Sequence, residues 1–412
     1  MKVFILAFAC EPNRTSEPGV GWNVVGELAK HHELTVLTRC NNRTPIEDFL
    51  SLHRDDPRNK IEWKYIDLPE WIHWLKKRMP CGIQLYQELW QLKAARAHRL
   101  VFKKYDIVHH LTFGSVFFTP WAAKYADRFL WGPIGGASGA MEDAFLKNER
   151  LRSRITEFFY RLVAWYSFHP FPWARSCRKA CGAILYRTSE LAEHAVRYPN
   201  QFVGVKGESA YPGEILPHHY RDETHPLRVM CVGRLIPLKG VKYTIAGFSE
   251  FLRGGGKGEL HIYGDGPLRK ELEALATKST FGPMIHFHGN VPNEKVIQVL
   301  STSDVLIHAS FREGVSWTIL EAMAQGLPVV CQNRAGMKDL VVDGCGERIS
   351  AATPAALRKG IANALHKFYA HPDLLRVCGT AAQSRIASEY TWQGIAEAID
   401  KVYVKLQEER GI

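Results

Sequence analysis

Residues 304–333, DVLIHASFREGVSWTILEAMAQGLPVVCQN, have the pattern of a strand, a loop, a helix and a second strand. A helix fits 316–325, because Ser316 suits the N-cap and Gly326 suits the left-handed position after the helix. Two parallel strands joined by a helix form a βαβ unit, and open α/β sheets bind ligands at the carboxyl ends of their strands. The loop that contains Glu313 lies at such an end, so we expect a ligand there.

The beginning of the predicted helix suits a phosphate group. Its first residues, from Gly314 to Trp317, offer unpaired N–H groups and the positive end of the helix dipole. Glu313 stands at the helix mouth and Glu321 follows inside the helix, and each carboxylate can accept two hydrogen bonds from a sugar diol. A nucleoside diphosphate sugar contains both kinds of group. On spacing alone, a solvated loop charge and a surface helix residue remain the alternative.

The motif EGVSWTILEA resembles the E-x7-E signature of retaining glycosyltransferases of sequence family 4, of the bacterial cell-envelope or exopolysaccharide type. Three further segments are similar to donor-domain motifs of that family and occur in its usual order: VGRLIPLKG at 232–240, YGDGP at 263–267 and HGNVPNEKV at 288–296. The resemblance is strong over 227–343 and looser before. It implies the GT-B fold, in which two Rossmann-like domains face each other across a cleft.

The length and the strand pattern agree with a two-domain α/β protein. At 412 residues the chain is too long for one ordinary core. We predict an N-terminal acceptor-binding Rossmann-like domain at 1–215 and a C-terminal donor-binding one at 216–390. Residues 391–412 should form a helix that packs back on the first domain, as the resemblance implies. The boundary falls in 211–226, which has three prolines and no periodicity.

Short apolar runs alternate with helix-forming segments in both halves. In the first half, strands are predicted at 3–10, 34–39, 61–68, 105–112, 128–131, 183–187 and 202–209. In the second half, strands are predicted at 227–233, 259–263, 285–289, 304–310 and 328–332. Helices should occupy about 240–253, 267–277, 292–301, 316–325, 353–371, 374–388 and 392–407.

The resemblance implies roles for residues of the second half. Arg234 and Lys239 match the pair that binds the donor diphosphate. Glu313 would hold the hydroxyls of the transferred hexose, and Glu321 would hold the ribose diol. The sugar and phosphate would meet the backbone amides of Gly314, Val315, Ser316, Trp317 and Thr318, and the base would meet backbone groups near Asn290 and Val291. The family often has an aromatic residue and a glycine where this chain has Val315 and Ser316, so the added Cβ of Ser316 should narrow the approach to the sugar.

In the first half, Gly19 and Gly21 lie in a predicted loop before a helix that starts near residue 20. The third glycine of the dinucleotide fingerprint is missing, which disfavours an NAD enzyme. In the resembled family a glycine of this loop contacts the donor diphosphate, and Gly19 or Gly21 matches it by position. The alternative is that these glycines serve the chain turn alone.

His109 and His110 close the predicted strand 105–112. His109 aligns with a family histidine that lies beside the reacting sugar, whereas the role of His110 stays open. Two polar residues that close a strand are the alternative interpretation. The glycine-rich turn at 131–139 lacks the Lys-Ser or Lys-Thr of a P-loop and is placed on the acceptor side.

We expect no metal and no cofactor. The sequence has no D-x-D motif or histidine cluster placed to hold Mg²⁺, and its nine scattered cysteines favour a reducing compartment over a zinc site or a disulfide framework. The Arg234 fork and the Lys239 point charge would replace a metal at the leaving diphosphate. Retention of configuration is implied by the resemblance, with His109 and Glu313 steadying the sugar at the reacting centre.

The predicted function is transfer of a hexose from UDP-glucose or a similar UDP-sugar to a polysaccharide or lipid-linked oligosaccharide. One alternative is another GT-B chemistry on nucleotide sugars, such as epimerisation or phosphorolysis. The other is a catalytically silent scaffold of a polysaccharide assembly, which would not need Arg234, Lys239, Glu313 and Glu321 together.

Two basic stretches, 71–104 and 141–181, contain interleaved aromatic residues and supply much of the net charge of +11. Such composition suits an anionic membrane surface, although ordinary amphipathic helices remain the alternative. The stretches resemble no nucleic-acid-binding module, so we expect no nucleic-acid partner. No apolar run reaches spanning length. We expect a cytoplasmic protein, peripheral at the inner face of the cytoplasmic membrane.

Overall fold

The computed structural model describes residues 1–14, 16–79, 82–147, 149–199, 201–215, 218, 220 and 226–408. The chain is divided between two units that each contain one sheet. Met1–Ala137, Val163–Ser209 and the chain from Trp392 onward make the first unit, and Ser138–Leu162 and Ala210–Thr391 make the second.

The first unit contains seven parallel strands, whose side chains are mostly buried because helices cover both faces. They are β1 (Lys2–Ala7), β2 (Glu33–Thr38), β3 (Glu62–Tyr65), β4 (Ile107–Thr112), β5 (Phe129–Ile134), β6 (Ala183–Tyr186) and β7 (Phe202–Val205). Their order in the sheet is β3-β2-β1-β4-β5-β6-β7.

The second unit contains six parallel strands in the order β10-β9-β8-β11-β12-β13. They are β8 (Leu227–Val232), β9 (Gly258–Tyr263), β10 (Ile285–Gly289), β11 (Val305–His308), β12 (Val329–Gln332) and β13 (Gly346–Ile349). The strand order reverses direction between β8 and β11, and the carboxyl ends at such a switch point are where open α/β sheets bind ligands.

The α-helices connect these strands. In chain order they are α1 (Ser16–Leu28), α2 (Arg43–Leu52), α3 (Glu70–Arg78), α4 (Gly82–His98), α5 (Asp143–Leu146), α6 (Leu151–Phe168), α7 (Pro172–Lys179), α8 (Ser189–His194), α9 (Val241–Arg253), α10 (Arg269–Thr277), α11 (Asn293–Leu300), α12 (Trp317–Ala324), α13 (Ala335–Leu340), α14 (Pro354–Ala370), α15 (Asp373–Glu389) and α16 (Trp392–Glu408). Within the described residues, no helix combines the length and the apolar character that crossing a membrane requires.

These elements confirm the predicted α/β fold with two Rossmann-like units, and most predicted strands lie within two residues of the observed ones. In the second half of the chain, the prediction missed the helix α13 and the edge strand β13. β13 is short and its four residues, GERI, are all half-buried, so it lacks the apolar run that marks the central strands. The predicted linker at 211–226 falls partly outside the described residues.

The division between the units differs from a single boundary at residue 215. Residues 138–162 pack in the second unit, where Phe145 is fully buried against Tyr243 and Phe311. The glycine-rich turn therefore ends in the second unit, since a side chain at Gly139, which has φ +69°, would clash with the Phe311 carbonyl oxygen. Local sequence patterns gave no sign of this long-range contact.

α16 packs within the first unit. The backbone carbonyl of Leu406 accepts a hydrogen bond of 3.0 Å from Arg128, and Asp400 lies 2.9 Å from the His32 ring nitrogen. Tyr403 is fully buried and bonds to His109. The C-terminal helix is therefore part of the core that supports β4.

Candidate functional site

Two glycine motifs bring the loops of the second unit together. Gly264 has φ +126°, and a side chain there would clash with the carbonyl oxygen of Gly233. Gly240 has φ +64°, and a side chain there would clash in the same way with the carbonyl oxygen of Ala309, just after β11. Only glycine combines these backbone angles with such close approach. Gly240 and Gly264 thus allow the loops after β8, β9 and β11 to pack closely against one another.

This packing places Lys239 beside Glu313. Lys239 Nζ forms an ion pair with Glu313 Oε1, and the Nε2 atom of His308 lies 3.0 Å from the same oxygen. The side chains of Lys239 and Glu313 are 21% and 13% exposed. The loop after β8 and the loop after β11 therefore share a buried, charge-assisted network.

The network holds Glu313 as a carboxylate. Burial raises the pKa of Glu313, but the hydrogen bond from His308 and the charges of His308 and Lys239 outweigh it and lower the pKa to about 2. Glu313 therefore accepts hydrogen bonds and does not donate a proton at neutral pH, which suits a group that binds sugar hydroxyls.

His308 was missed in the sequence. It closes β11 with a side chain that is 3% exposed, and its ring also lies 3.4 Å from the Ser316 hydroxyl. A histidine five residues before the first glutamate of the E-x7-E motif was the available signal, but a polar residue at a strand end has many uses. The structure makes it the residue that fixes the Glu313 carboxylate.

Arg234 follows β8 and its side chain is exposed. The Arg234 guanidinium has no hydrogen-bond or ion-pair partner among the residues the structure describes, although the backbone carbonyl accepts a hydrogen bond from the Ile236 amide. Lys239 is engaged by Glu313, so the two predicted diphosphate ligands differ in their contacts. The free guanidinium can meet an anion directly, whereas Lys239 has to share its charge with Glu313.

The helix after the Glu313 loop begins one residue later than predicted. Ser316 is the N-cap of α12, but its side chain makes no capping hydrogen bond and turns towards His308 instead. The amides of Trp317 and Thr318 in the first turn have no acceptor within the described ranges. Gly326 has φ +78° and ends the helix as predicted. The free amides keep this N-terminus available to an anion.

The missed helix α13 supports the same loop. The Gly336 amide donates a 3.0 Å hydrogen bond to the carbonyl oxygen of Glu313. A side chain at Gly336 would collide with the backbone of Gly314, whereas a side chain at Gly314 itself would meet nothing within 4 Å. The loop with Glu313 therefore packs tightly against α13 at Gly336. Beside Gly314, in the direction of its missing side chain, the loop has open space.

Glu321 lies inside α12 and is partly buried. Burial raises its pKa, and a hydrogen bond from Asn293, the first residue of α11, opposes that shift. Asn290 and Val291 lie in the loop just before α11. The predicted ribose ligand and the predicted base-reading loop are therefore linked through the beginning of α11.

His109 lies in the interior of the first unit. Its ring is fully buried, with Nδ1 2.6 Å from the Tyr403 hydroxyl and Nε2 2.6 Å from the carbonyl oxygen of Gly132. Burial lowers its pKa to about 3, so the ring is neutral. To contact a sugar, His109 would have to give up one of these hydrogen bonds. Its predicted role stays a prediction, and in this conformation it joins β4, β5 and α16.

Gly19 and Gly21 do not lie in a loop, because α1 begins at Ser16 rather than near residue 20. Pro18 lies in the first helical turn, where its missing N–H costs nothing. A side chain at Gly19 would clash with the Arg14 carbonyl oxygen, and one at Gly21 with that of Ala9. These glycines let α1 pack closely on the preceding segment.

A second ionic cluster in the first unit was also missed. Arg187, just after β6, pairs with both Glu17 and Glu208, and Glu17 also accepts a 2.8 Å hydrogen bond from the Phe113 amide. Burial raises the pKa of Glu208, although the charge of Arg187 opposes the shift. The cluster ties the carboxyl ends of β4 and β6 to the beginning of α1.

The structure resembles solved glycosyltransferase structures over nearly its whole length. Sucrose-phosphate synthase of Thermosynechococcus elongatus is 15% identical and superposes with a TM-score of 0.59, covering 98% of each chain. HepE of Anabaena, solved in complex with UDP-glucose, is 15% identical with a TM-score of 0.51, covering 98% of this chain and 100% of that one. At this identity the likeness shows the fold, which is the GT-B class.

The match to a protein family lies in the second unit. Residues 218–385 match the family model described as "Glycosyl transferases group 1". Glycogen synthase of Mycobacterium tuberculosis is 29% identical over 189 residues, which are 45% of this chain and 44% of the relative. The match thus spans less than half of the curated relative. Residues 218–385 are therefore similar to group 1 glycosyl transferases, and the predicted resemblance to glycosyltransferases of the GT-B fold is confirmed.

Proposed function

We propose that the protein is a retaining hexosyltransferase of the family 4 type, which moves a hexose from a nucleotide diphosphate sugar to a glycan or lipid-linked glycan. The network of Lys239, Glu313 and His308 beside the free first turn of α12 carries this proposal. It offers a fixed carboxylate for sugar hydroxyls, cations for a diphosphate and backbone amides for a phosphate, at the switch point of a parallel sheet.

Each group has a defined task in this proposal. Glu313, held ionised by His308, accepts hydrogen bonds from the hexose hydroxyls. The diphosphate draws Lys239 partly away from Glu313 and also binds Arg234, and these cations stabilise the negative charge that grows as the bond to the anomeric carbon breaks. Glu321 binds the ribose diol. Two fixed cations supply the stabilisation that a metal gives elsewhere, so we propose transfer without a metal.

The donor proposed here is a UDP-hexose. HepE, which shares the fold, was solved with UDP-glucose. A relative that matches 189 residues of this chain at 29% identity is named glycogen synthase, and a sugar donor agrees with that name. A catalytically silent scaffold would bind no donor in this network. Turnover of the donor therefore distinguishes the proposed enzyme from such a scaffold.

An anionic membrane surface is the proposed location of the acceptor. α6 exposes a row of large apolar side chains, with Phe158 64% and Phe159 57% exposed. Arg152 and Arg154 on the same helix are also exposed. Aromatic and basic side chains on one helix are typical of interfacial helices. In the other basic stretch, Tyr86 and Trp90 are fully buried, so part of that stretch is ordinary core.

The opposite side of α6 contacts the loop that contains Arg312 and Glu313. Glu157 accepts a 2.8 Å hydrogen bond from Arg312, and the Arg312 guanidinium lies 3.3 Å from the centre of the Tyr160 ring. Arg312 directly precedes Glu313. The helix that we propose to bind the membrane therefore also supports the loop with Glu313, the residue proposed to bind the hexose.

Thermal-shift and calorimetric titration with UDP-glucose, GDP-mannose and ADP-glucose tests the donor proposal. We expect UDP-glucose to raise the melting temperature of the parent protein. The variant Lys239→Met should not show this stabilisation. Lys270→Met removes an exposed lysine of the same unit and should behave as the parent. If no nucleotide sugar binds, or if Lys239→Met binds as tightly as the parent, the proposal fails.

Vesicle sedimentation tests the membrane proposal. The protein should bind vesicles that contain phosphatidylglycerol more than pure phosphatidylcholine vesicles, and added salt should weaken binding. The double variant Phe158→Ser, Phe159→Ser should bind less, whereas Leu52→Ser, which changes an exposed leucine outside both basic stretches, should not. Equal partition to both vesicle types, or none to either, would refute membrane recruitment.

A further inference from the structure

A cluster of histidines lies on one face of the edge of the second sheet. β9 and β10 are parallel neighbours, and His261 is paired directly with His286. Side chains alternate along a strand, so Glu259 and His261 share one face of β9, and His286 and His288 share the same face of β10. Residues that are 27 positions apart in sequence are thereby brought together.

The three side chains Glu259, His261 and His286 offer ligand atoms that all lie within 4.8 Å of one another. His261 Nε2 is 3.4 Å from Glu259 Oε2, and His286 Nε2 is 3.9 Å from the same oxygen. In a tetrahedral zinc site with metal–ligand bonds near 2.1 Å, neighbouring ligand atoms are about 3.4 Å apart. The observed separations need only a small side-chain adjustment to match.

The hydrogen bonds of His261 leave one nitrogen aimed into this cluster. Its Nδ1 lies 3.0 Å from Nε2 of His288, whereas its Nε2 is buried and has no hydrogen-bond partner among the described residues. If Nδ1 carries the proton and donates to His288, Nε2 presents a lone pair towards the Glu259 carboxylate. A histidine that binds metal through one nitrogen and donates a hydrogen bond through the other is the usual arrangement.

We propose that Glu259, His261 and His286 form a binding site for a divalent transition metal, with Zn²⁺ the best match to two imidazoles and one carboxylate and with water as the fourth ligand. The metal would join β9 to the edge strand β10. The ring of His288 stacks on Tyr263 at 4.3 Å, and His288 leads into the loop with Asn290, so a bound metal would stiffen the strand ends below the proposed base-reading loop.

Metal titration of the intact protein tests this site independently of any activity. Zn²⁺ should raise the melting temperature of the protein stripped with EDTA, and Co²⁺ should give the visible absorption of a tetrahedral complex. Glu259→Gln, which changes an exposed side chain, and His261→Ala should both lower Zn²⁺ affinity at least tenfold. His371→Ala removes an exposed histidine of the same unit and should bind as the parent.

Two results would overturn the proposal. One is the absence of any Zn²⁺ or Co²⁺ binding by the parent, and the other is equal affinity in the parent and in Glu259→Gln. Circular dichroism of each variant separates a lost ligand from a lost fold. The proposal goes beyond the proposed glycosyl transfer, because donor turnover can persist in EDTA while the metal-dependent rise in melting temperature disappears.

Discussion

Replacing Glu313 by glutamine should change how stability depends on pH. In the folded protein the pKa of Glu313 falls from 4.5 to about 2. This difference corresponds to about 3 kcal/mol of stability at pH 7, since each pKa unit is worth about 1.4 kcal/mol. A carboxyl group with a lowered folded pKa stabilises above its unfolded pKa, and that stability is lost as pH falls from 4.5 towards 2.

Urea unfolding of the parent and of Glu313→Gln at several pH values measures the effect. The parent should exceed the variant by about 3 kcal/mol at pH 7 and by about 1 kcal/mol near pH 3. Glu389→Gln removes an exposed carboxylate of the same unit and serves as the control. A parent–variant difference that stays constant between pH 7 and pH 3 would show that Glu313 is not held ionised by Lys239 and His308.

The remaining predictions concern turnover and ligand binding. Lys239→Met should cost at least about 2 kcal/mol of transition-state stabilisation, or about thirtyfold in kcat, and an unchanged kcat would refute its role. Donor hydrolysis should continue in EDTA, and a strict requirement for added Mg²⁺ would remove the argument from two cations. Glu321→Gln should weaken UDP binding more than it lowers kcat, because the ribose is remote from the bond that breaks. Unchanged UDP affinity together with collapsed turnover would place Glu321 at the reacting centre.

The sheets and the motif loops could be predicted because their signals are local. β8, β11 and β12 are mostly apolar runs, and the end of α12 could be predicted from Gly326 alone. Lys239 and Glu313 were chosen separately, by resemblance, and the structure brings them into one ion pair. Their pairing depends on Gly240, whose close approach to Ala309 is a tertiary contact that no local pattern shows.

What was missed depends on distant contacts. Residues 138–162 pack in the second unit through pairs such as Arg312–Glu157, which are 155 positions apart. His308 becomes informative only when its ring is seen beside Glu313. The helix α1 begins at Ser16, earlier than predicted, and Pro18 is compatible both with a loop and with a first helical turn.

The most direct test of the central claim is a time course of donor cleavage followed by ¹H NMR. The parent is incubated with the donor selected by the binding titration, and the anomeric signal of the first free hexose is recorded before mutarotation. For an α-linked donor we expect the α-anomer to appear first and release to nearly stop in Lys239→Met. Release of the β-anomer first, or equal release by the parent and Lys239→Met, would contradict a retaining transfer that depends on the network of Lys239, Glu313 and His308.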